Sequence, residues 1–219
     1  NIAPLNFLVK DSLAQDFVVE MKGEKGASIV TGNGEGVIKF DTIAWRQMLQ
    51  DNRGGKITVS IYTEHETGWM SYQPHTLTVA EEDIDPYLSY RLIEPGYELY
   101  RQLGLYQRNL TNWDVHTIYE NNRTFQNEDN HCINCHNYQN YDTDHMLFHV
   151  RANHGGTIVV RGNKAEKVII KDSTIITSGV YPSWHPKHNW IAFSTNKTGQ
   201  TFHLYHQERI EVIDEGSDL

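Results

Sequence analysis

Both cysteines of the chain lie in one hexapeptide, His131-Cys132-Ile133-Asn134-Cys135-His136. Two thiols three positions apart, followed directly by an imidazole, match the C-x-x-C-H pattern by which haem c is attached. The chemistry explains the spacing. Cys132 and Cys135 add across the two vinyl groups of the porphyrin as thioethers, and His136 then offers its imidazole to the iron as proximal ligand. Shuffling a composition of 2 cysteines and 12 histidines in 219 residues would produce this arrangement in about one case in 2,000, so chance explains the match poorly.

Other chemistries use the same residue types. A dithiol–disulfide pair normally follows a strand in a βαβ unit, at a helix start that lowers one thiol pKa. Here the polar stretch 119–130 precedes the motif and the rest of the chain is rich in strand-forming residues. A Cys2His2 zinc site draws two of its ligands from a separate segment, and His145 and His149 would supply them if they lay on one helix face. A disulfide within the motif closes too tight a ring to stabilise much. Haem c is the favoured cofactor and zinc the main non-haem alternative.

A six-coordinate haem needs a second axial ligand. Met146 would favour a higher potential and His149 a lower one. His131, His145, His154, His185 and His203 are further candidates. If 145–152 is a strand, Met146 and His149 fall on opposite faces, because side chains alternate. At most one of them then turns to the iron; the expectation is His149, with Met146 as the alternative.

The elements that must position this motif are mainly β. Segments 15–23, 27–31, 36–40 and 56–64 are β-branched and partly alternating, with Gly- and Asn-rich breaks between them. They predict a β-sandwich-like domain over 1–82, with one or two helical turns at 42–50. Glu20, Asp41 and Glu64 read there as solvated carboxylates rather than catalytic ones. Residues 83–142 form a second region, a short helical and loop segment carrying the C-x-x-C-H motif. After Pro95, Tyr97, Tyr100, Leu103 and Leu105 recur at helical spacing. From 143 to 219, short strand-like runs at 145–150, 156–162, 167–171, 173–178, 190–195, 201–206 and 208–214 predict propeller blades or a barrel.

The net charge of −9 lacks the basic footprint of a nucleic-acid binder. No run of 18 apolar residues occurs, so no transmembrane helix is expected. The chain opens without Met and closes just after a strand-like run, which predicts that both ends are cut. Three Asn-x-Ser/Thr triplets match the N-glycan acceptor pattern, which is too short to carry weight by itself.

Residues 181–200 resemble the repeat of TolB-like β-propellers. Pro182, Trp184, Pro186, Trp190, Ile191, Ala192, Phe193 and Ser194 match its pattern. His185 stands where the repeat has Ser, and Lys187 and His188 replace its Asp-Gly turn. The wider chain, over roughly 84–215, is similar to exported Gram-negative envelope proteins with a C-x-x-C-H motif ahead of TolB-like blades. The resemblance implies one covalent haem c, export to the periplasm or outer membrane (a lipoprotein form included), and further blades or a partner chain at the C-terminal edge. It also implies that the propeller here is truncated.

The leading functional expectation is an exported monohaem module for electron transfer with an unknown redox partner protein, rather than an enzyme. Arg91, Arg101, Arg108 and Arg151 are candidate partners for haem propionates, and Tyr97, Tyr100 and Tyr106 candidate packing for the ring. A haem peroxidase-like enzyme with His149 or His154 as acid–base group, an interaction scaffold in which haem is structural, and a zinc-binding protein are the alternatives.

Overall fold

The computed structural model describes residues 1–93, 103–121, 131–175, 177–202 and 210–219. The chain divides into two compact units, Asn1–Leu88 with Gln107–His116, and Ser89–Tyr106 with Thr117–Leu219. Among the described residues it is built from antiparallel sheets and one helix.

In the first unit, strands β1 (Phe7–Leu8), β2 (Asp16–Gly23), β3 (Ile29–Asn33) and β4 (Val37–Ile38) precede helix α1 (Thr42–Asp51). Strands β5 (Lys56–His65), β6 (Gly68–Ser71) and β7 (His75–Thr78) follow it. A five-stranded sheet runs β3-β2-β5-β6, with β7 also paired to β5. The register sets Val19 opposite both Thr31 and Ile61. Alternation along β2 buries Phe17, Val19 and Met21 on one face, where Ile57 and Val59 of β5 join them. A two-layer sandwich was the sequence expectation. The layer over this face is instead α1 together with the β1–β4 ribbon, through Trp45, Met48, Ile38 and Phe40. The reason is the length of α1: ten residues place Trp45 and Met48 on one stripe that has to be buried.

The ends of α1 are specified by side chains. Asp41, expected to be merely solvated, is the N-cap: its Oδ1 accepts the Ala44 N–H at 2.9 Å. At the other end Asn52 is buried, and its amide donates to Met48 O at 2.8 Å and to Lys25 O at 3.0 Å.

Strands β8 (Tyr87–Ile93), β9 (Leu103–Asn109) and β10 (Val115–Glu120) form a sheet of order β10-β9-β8 whose residues are divided between the two units. The helical spacing read at 97–105 gives way to strand from Leu103 onward; 97–102 lie outside the described residues. The second unit continues with β11 (His131–Tyr138), β12 (His145–Ala152), β13 (Gly156–Arg161) and β14 (Lys164–Val168), a four-stranded meander in sequence order. Strands β15 (Val180–Trp184), β16 (Ile191–Phe202) and β17 (Ile210–Asp218) make the last sheet. The run expected at 173–178 forms no strand among its described residues. No sheet closes on itself among the described residues.

β12 is the centre of the second unit. Met146, Phe148 and Val150 pack on one side with Leu103, Leu105 and Ile133, while Leu147 packs on the other with Val159 and Trp184. The strand reading of 145–152, with its alternation of Met146 and His149, is what the structure has. No helix among the described residues is long and apolar enough to cross a membrane.

The cap on α1 is directly testable. Asp41→Ala should cost about 1 kcal/mol of unfolding free energy, and Asp41→Asn a small fraction of that, since Asn can still accept the Ala44 N–H. Urea unfolding of both variants followed by tryptophan fluorescence measures the difference.

Candidate functional site

The C-x-x-C-H residues lie on β11, a strand, and not on the helical segment the sequence suggested. Pairing with β12 outweighs the local pattern: His131, Cys132, Ile133 and Asn134 lie opposite Ala152, Arg151, Val150 and His149. The ladder then breaks. Asn134 pairs with His149 and Asn137 with Leu147, so Cys135 and His136 together face the single residue Phe148. This is a β-bulge, and Cys135 takes a left-handed φ of +48° within it. The Asn134 side chain supports the kink by accepting the Cys135 N–H at 3.1 Å.

The bulge changes which side chains share a face. Cross-strand partners point the same way. Ile133 therefore lies with Val150, and Tyr138 with Met146, over the Leu103–Leu105 side; Asn134 lies with His149 on the other. Cys132 packs against the cluster that contains Ile133 and Met146. The His136 ring sits edge-on to Tyr138 at 6.4 Å between centroids. The register thus sets Tyr138 and Met146 on one face of the β11–β12 pair, with the His136 ring packed against Tyr138, and pairs Cys132 with Arg151 on the alternate face. It does not bring His149 to His136.

Both cysteines are half-buried, unoxidised thiols. Burial pushes the Cys132 thiol up; the charges of Arg91 and Arg151 pull the other way, and Cys135 adds a small further rise. Burial pushes His136 down, opposed by a hydrogen bond to the Ser89 backbone and assisted by Arg91. His136 is therefore neutral near pH 7, the state in which an imidazole binds a metal. Arg91 of β8 donates to Ile133 O at 3.2 Å and to the Asn134 side chain, which fixes a guanidinium beside the motif. Ser89 and Tyr138 join their hydroxyls at 2.6 Å. Sequence reading raised Arg91 only as one arginine among four. Nothing in the sequence singled out Ser89, Asn134 or Tyr138, because their roles come from pairing between distant segments.

The remaining candidates are dispersed. His149 is buried, with Nδ1 2.8 Å from Thr157 Oγ1 and its ring 5.6 Å from that of Phe193. His145 is tied to Asp142 at 2.8 Å. His131 lies 3.0 Å from the Tyr119 hydroxyl, with His154 packed on its ring at 5.4 Å. Among the described residues no three His, Cys, Asp or Glu side chains converge as a metal site, so the zinc ligands Cys132, Cys135, His145 and His149 are not gathered. Tyr97, Tyr100, Arg101 and His203 lie outside the described residues.

His185 has a different role. Its Nδ1 accepts the backbone N–H groups of Lys187 and His188, both at 3.1 Å, while its own N–H bonds Trp190 O at 2.9 Å. A histidine side chain thus closes the turn between β15 and β16. Gln139 anchors that turn by donating to both His185 O and His188 O at 3.0 Å.

No protein-family model, curated protein or solved structure matches this chain.

The environment of His149 makes a pH-dependent contribution with a definite sign. Burial, with Arg151 adding to it, pushes its pKa from 6.5 down to about 4. As pH falls below 6.5, the unfolded chain takes up a proton that the folded one refuses. Stability is therefore lost between roughly pH 6.5 and 4, by up to about 3 kcal/mol, and this term is constant below that window. His149→Gln should remove this part of the slope, leaving the smaller term of the same sign from His136. Urea midpoints of both proteins across that pH range measure it.

Proposed function

We propose that this chain is a monohaem c-type protein that transfers electrons, with Cys132 and Cys135 holding the porphyrin and His136 as proximal ligand. The observation that carries the reading is the C-x-x-C-H spacing itself. The environment of the motif is compatible with it. Both thiols are unpaired. The bulge at Cys135 and His136 breaks the strict alternation of a strand, which would otherwise set residues three apart on opposite faces. The His136 imidazole is neutral, and Arg91 is a fixed cation next to the motif, suited to a propionate.

When bound, haem supplies a one-electron iron couple whose potential follows from its axial ligands and their burial. The protein's own residues do the rest. Cys132 and Cys135 would hold the ring, and His136 would offer its imidazole to the iron. The cluster of Leu103, Leu105, Ile133 and Phe148 keeps water from the apolar face. Cys132, whose pKa is raised by burial, is a protonated and unreactive thiol on its own. Haem c attachment is carried out by a maturation system outside the cytoplasm, so the reading carries with it export to the periplasm or outer membrane. Of the two candidate second ligands, Met146 shares the face of Tyr138, against which the His136 ring packs. His149 lies on the other.

The four-stranded meander β11–β14 is the kind of unit from which propeller blades are made. It supports a subsidiary reading, a truncated TolB-like propeller whose further blades or partner chain complete the architecture.

The test is expression alongside a haem c maturation system. The expected product is coloured, gives a pyridine haemochrome spectrum, and keeps its haem on a denaturing gel. Cys132→Ala with Cys135→Ala should abolish covalent attachment. Met146→Ala should shift the spectrum and potential, and His149→Ala should shift neither. A colourless protein whose intact mass is the 25.3 kDa polypeptide alone overturns the proposal. Ready binding of carbon monoxide by the reduced protein would favour an open, catalytic haem over a six-coordinate electron carrier.

A further inference from the structure

The second unit contains another cavity, of about 740 Å³, walled by the β12–β13 turn, residues 169–171 and 177–181, and parts of β16 and β17. Its lining differs in charge from the rest of the chain. The protein carries a net −9, yet among the described residues no Asp or Glu lines this cavity, while Arg151 and Lys171 do. Neither cation has an ion-pair partner among the described residues. Two unpaired cations in a concave, acid-free site concentrate positive potential there.

A second observation points the same way. His149, also in the lining, is 4% exposed, and its Nε2 is buried with no hydrogen-bond partner. Thr157 satisfies Nδ1 only. A buried polar atom left unpartnered is costly and calls for an explanation. Ser178, Thr198 and Gln200 add a hydroxyl, a hydroxyl and an amide to the wall. Ile169 and Val180 supply apolar surface for a carbon skeleton. The volume lies within the range of ordinary small-molecule sites.

We infer that this cavity binds a hydroxylated organic anion, a sugar acid or sugar phosphate, with Arg151 and Lys171 on its charged group and Ser178, Thr198 and Gln200 on its hydroxyls. The inference goes beyond the haem proposal, and because Arg151 pairs with Cys132 across β11–β12, Lys171 is the lining cation whose variant separates the two tests. Arg91, not Arg151, is the cation assigned to haem, and the cavity is built from segments that follow the C-x-x-C-H motif.

Isothermal titration of the full chain, as purified from cells competent for haem attachment, decides the matter. The probes are glucuronate, glucose 6-phosphate, inorganic phosphate and neutral glucose. Saturable binding of glucuronate or glucose 6-phosphate is expected, and which of the two binds distinguishes carboxylate from phosphate. Lys171→Gln and Arg151→Gln should each weaken it at least tenfold. Lys187→Gln, in the β15–β16 turn away from the cavity, should leave it unchanged. Thermal melts accompany each variant, and if Arg151→Gln unfolds, the exposed Lys171→Gln carries the test. The inference fails if neither organic anion binds saturably, if Lys171→Gln binds as well as the parent, or if inorganic phosphate or glucose binds as tightly as both organic anions.

Discussion

Five consecutive buried residues, Met146 to Val150, define the second unit. A strand buried on both faces has no solvent side to slip toward, because a shift of one residue would exchange its two cores. β12 is held from both edges, by β11 through Ile133↔Val150 and by β13 through Phe148↔Ile158. One face serves the Leu103–Leu105 cluster and the other the Leu147–Trp184 cluster. Where β11 and β13 lie, and hence which residues can meet near the cysteines or line the adjoining cavity, follows from that double burial.

Against so fixed a neighbour, the irregularity of β11 is significant. A bulge interrupts ladder bonding, and a non-glycine residue at positive φ adds strain. The chain keeps both at Cys135, within the motif, and supports them with Asn134 and Arg91. Strain is usually found where a site needs side chains that regular geometry would separate. Here it lets two residues of β11 occupy the space opposite one of β12, so that the cysteine pair and the histidine depart from simple alternation.

Much of the architecture was legible because periodicity encodes it. The β-branched runs at 15–23 and 56–64 correspond to strands Asp16–Gly23 and Lys56–His65, and the helical turns expected at 42–50 to the helix Thr42–Asp51. The separation of Met146 from His149 followed from alternation alone. The motif was not legible as structure: C-x-x-C-H suggests a helical turn, and only the distant partner β12 makes 131–138 a strand. Aromatic and leucine spacing misled at 103–105 for a related reason, since Leu103 and Leu105 alternate as well on a strand as they recur on a helix. Contacts that join remote segments, such as Arg91 to Ile133 and Gln139 to His185, leave no local trace. The same holds for the pairing of His149 with Thr157, where two ordinary residues become one buried unit only through register.

β16 divides its length between two partners. Its first residues pair with β15, and from Thr195 onward it pairs with β17. Thr195 is buried, whereas most of the described residues beyond it on both strands are exposed. The two-stranded ribbon therefore lacks the covered face that lets a hairpin persist in water, and relies on its own ladder and on surface contacts such as Lys197 with Glu215 at 2.8 Å. A single strand thus has two stabilities. Amide hydrogens before Thr195 should outlast those after it in exchange, and fraying stops where the burial begins.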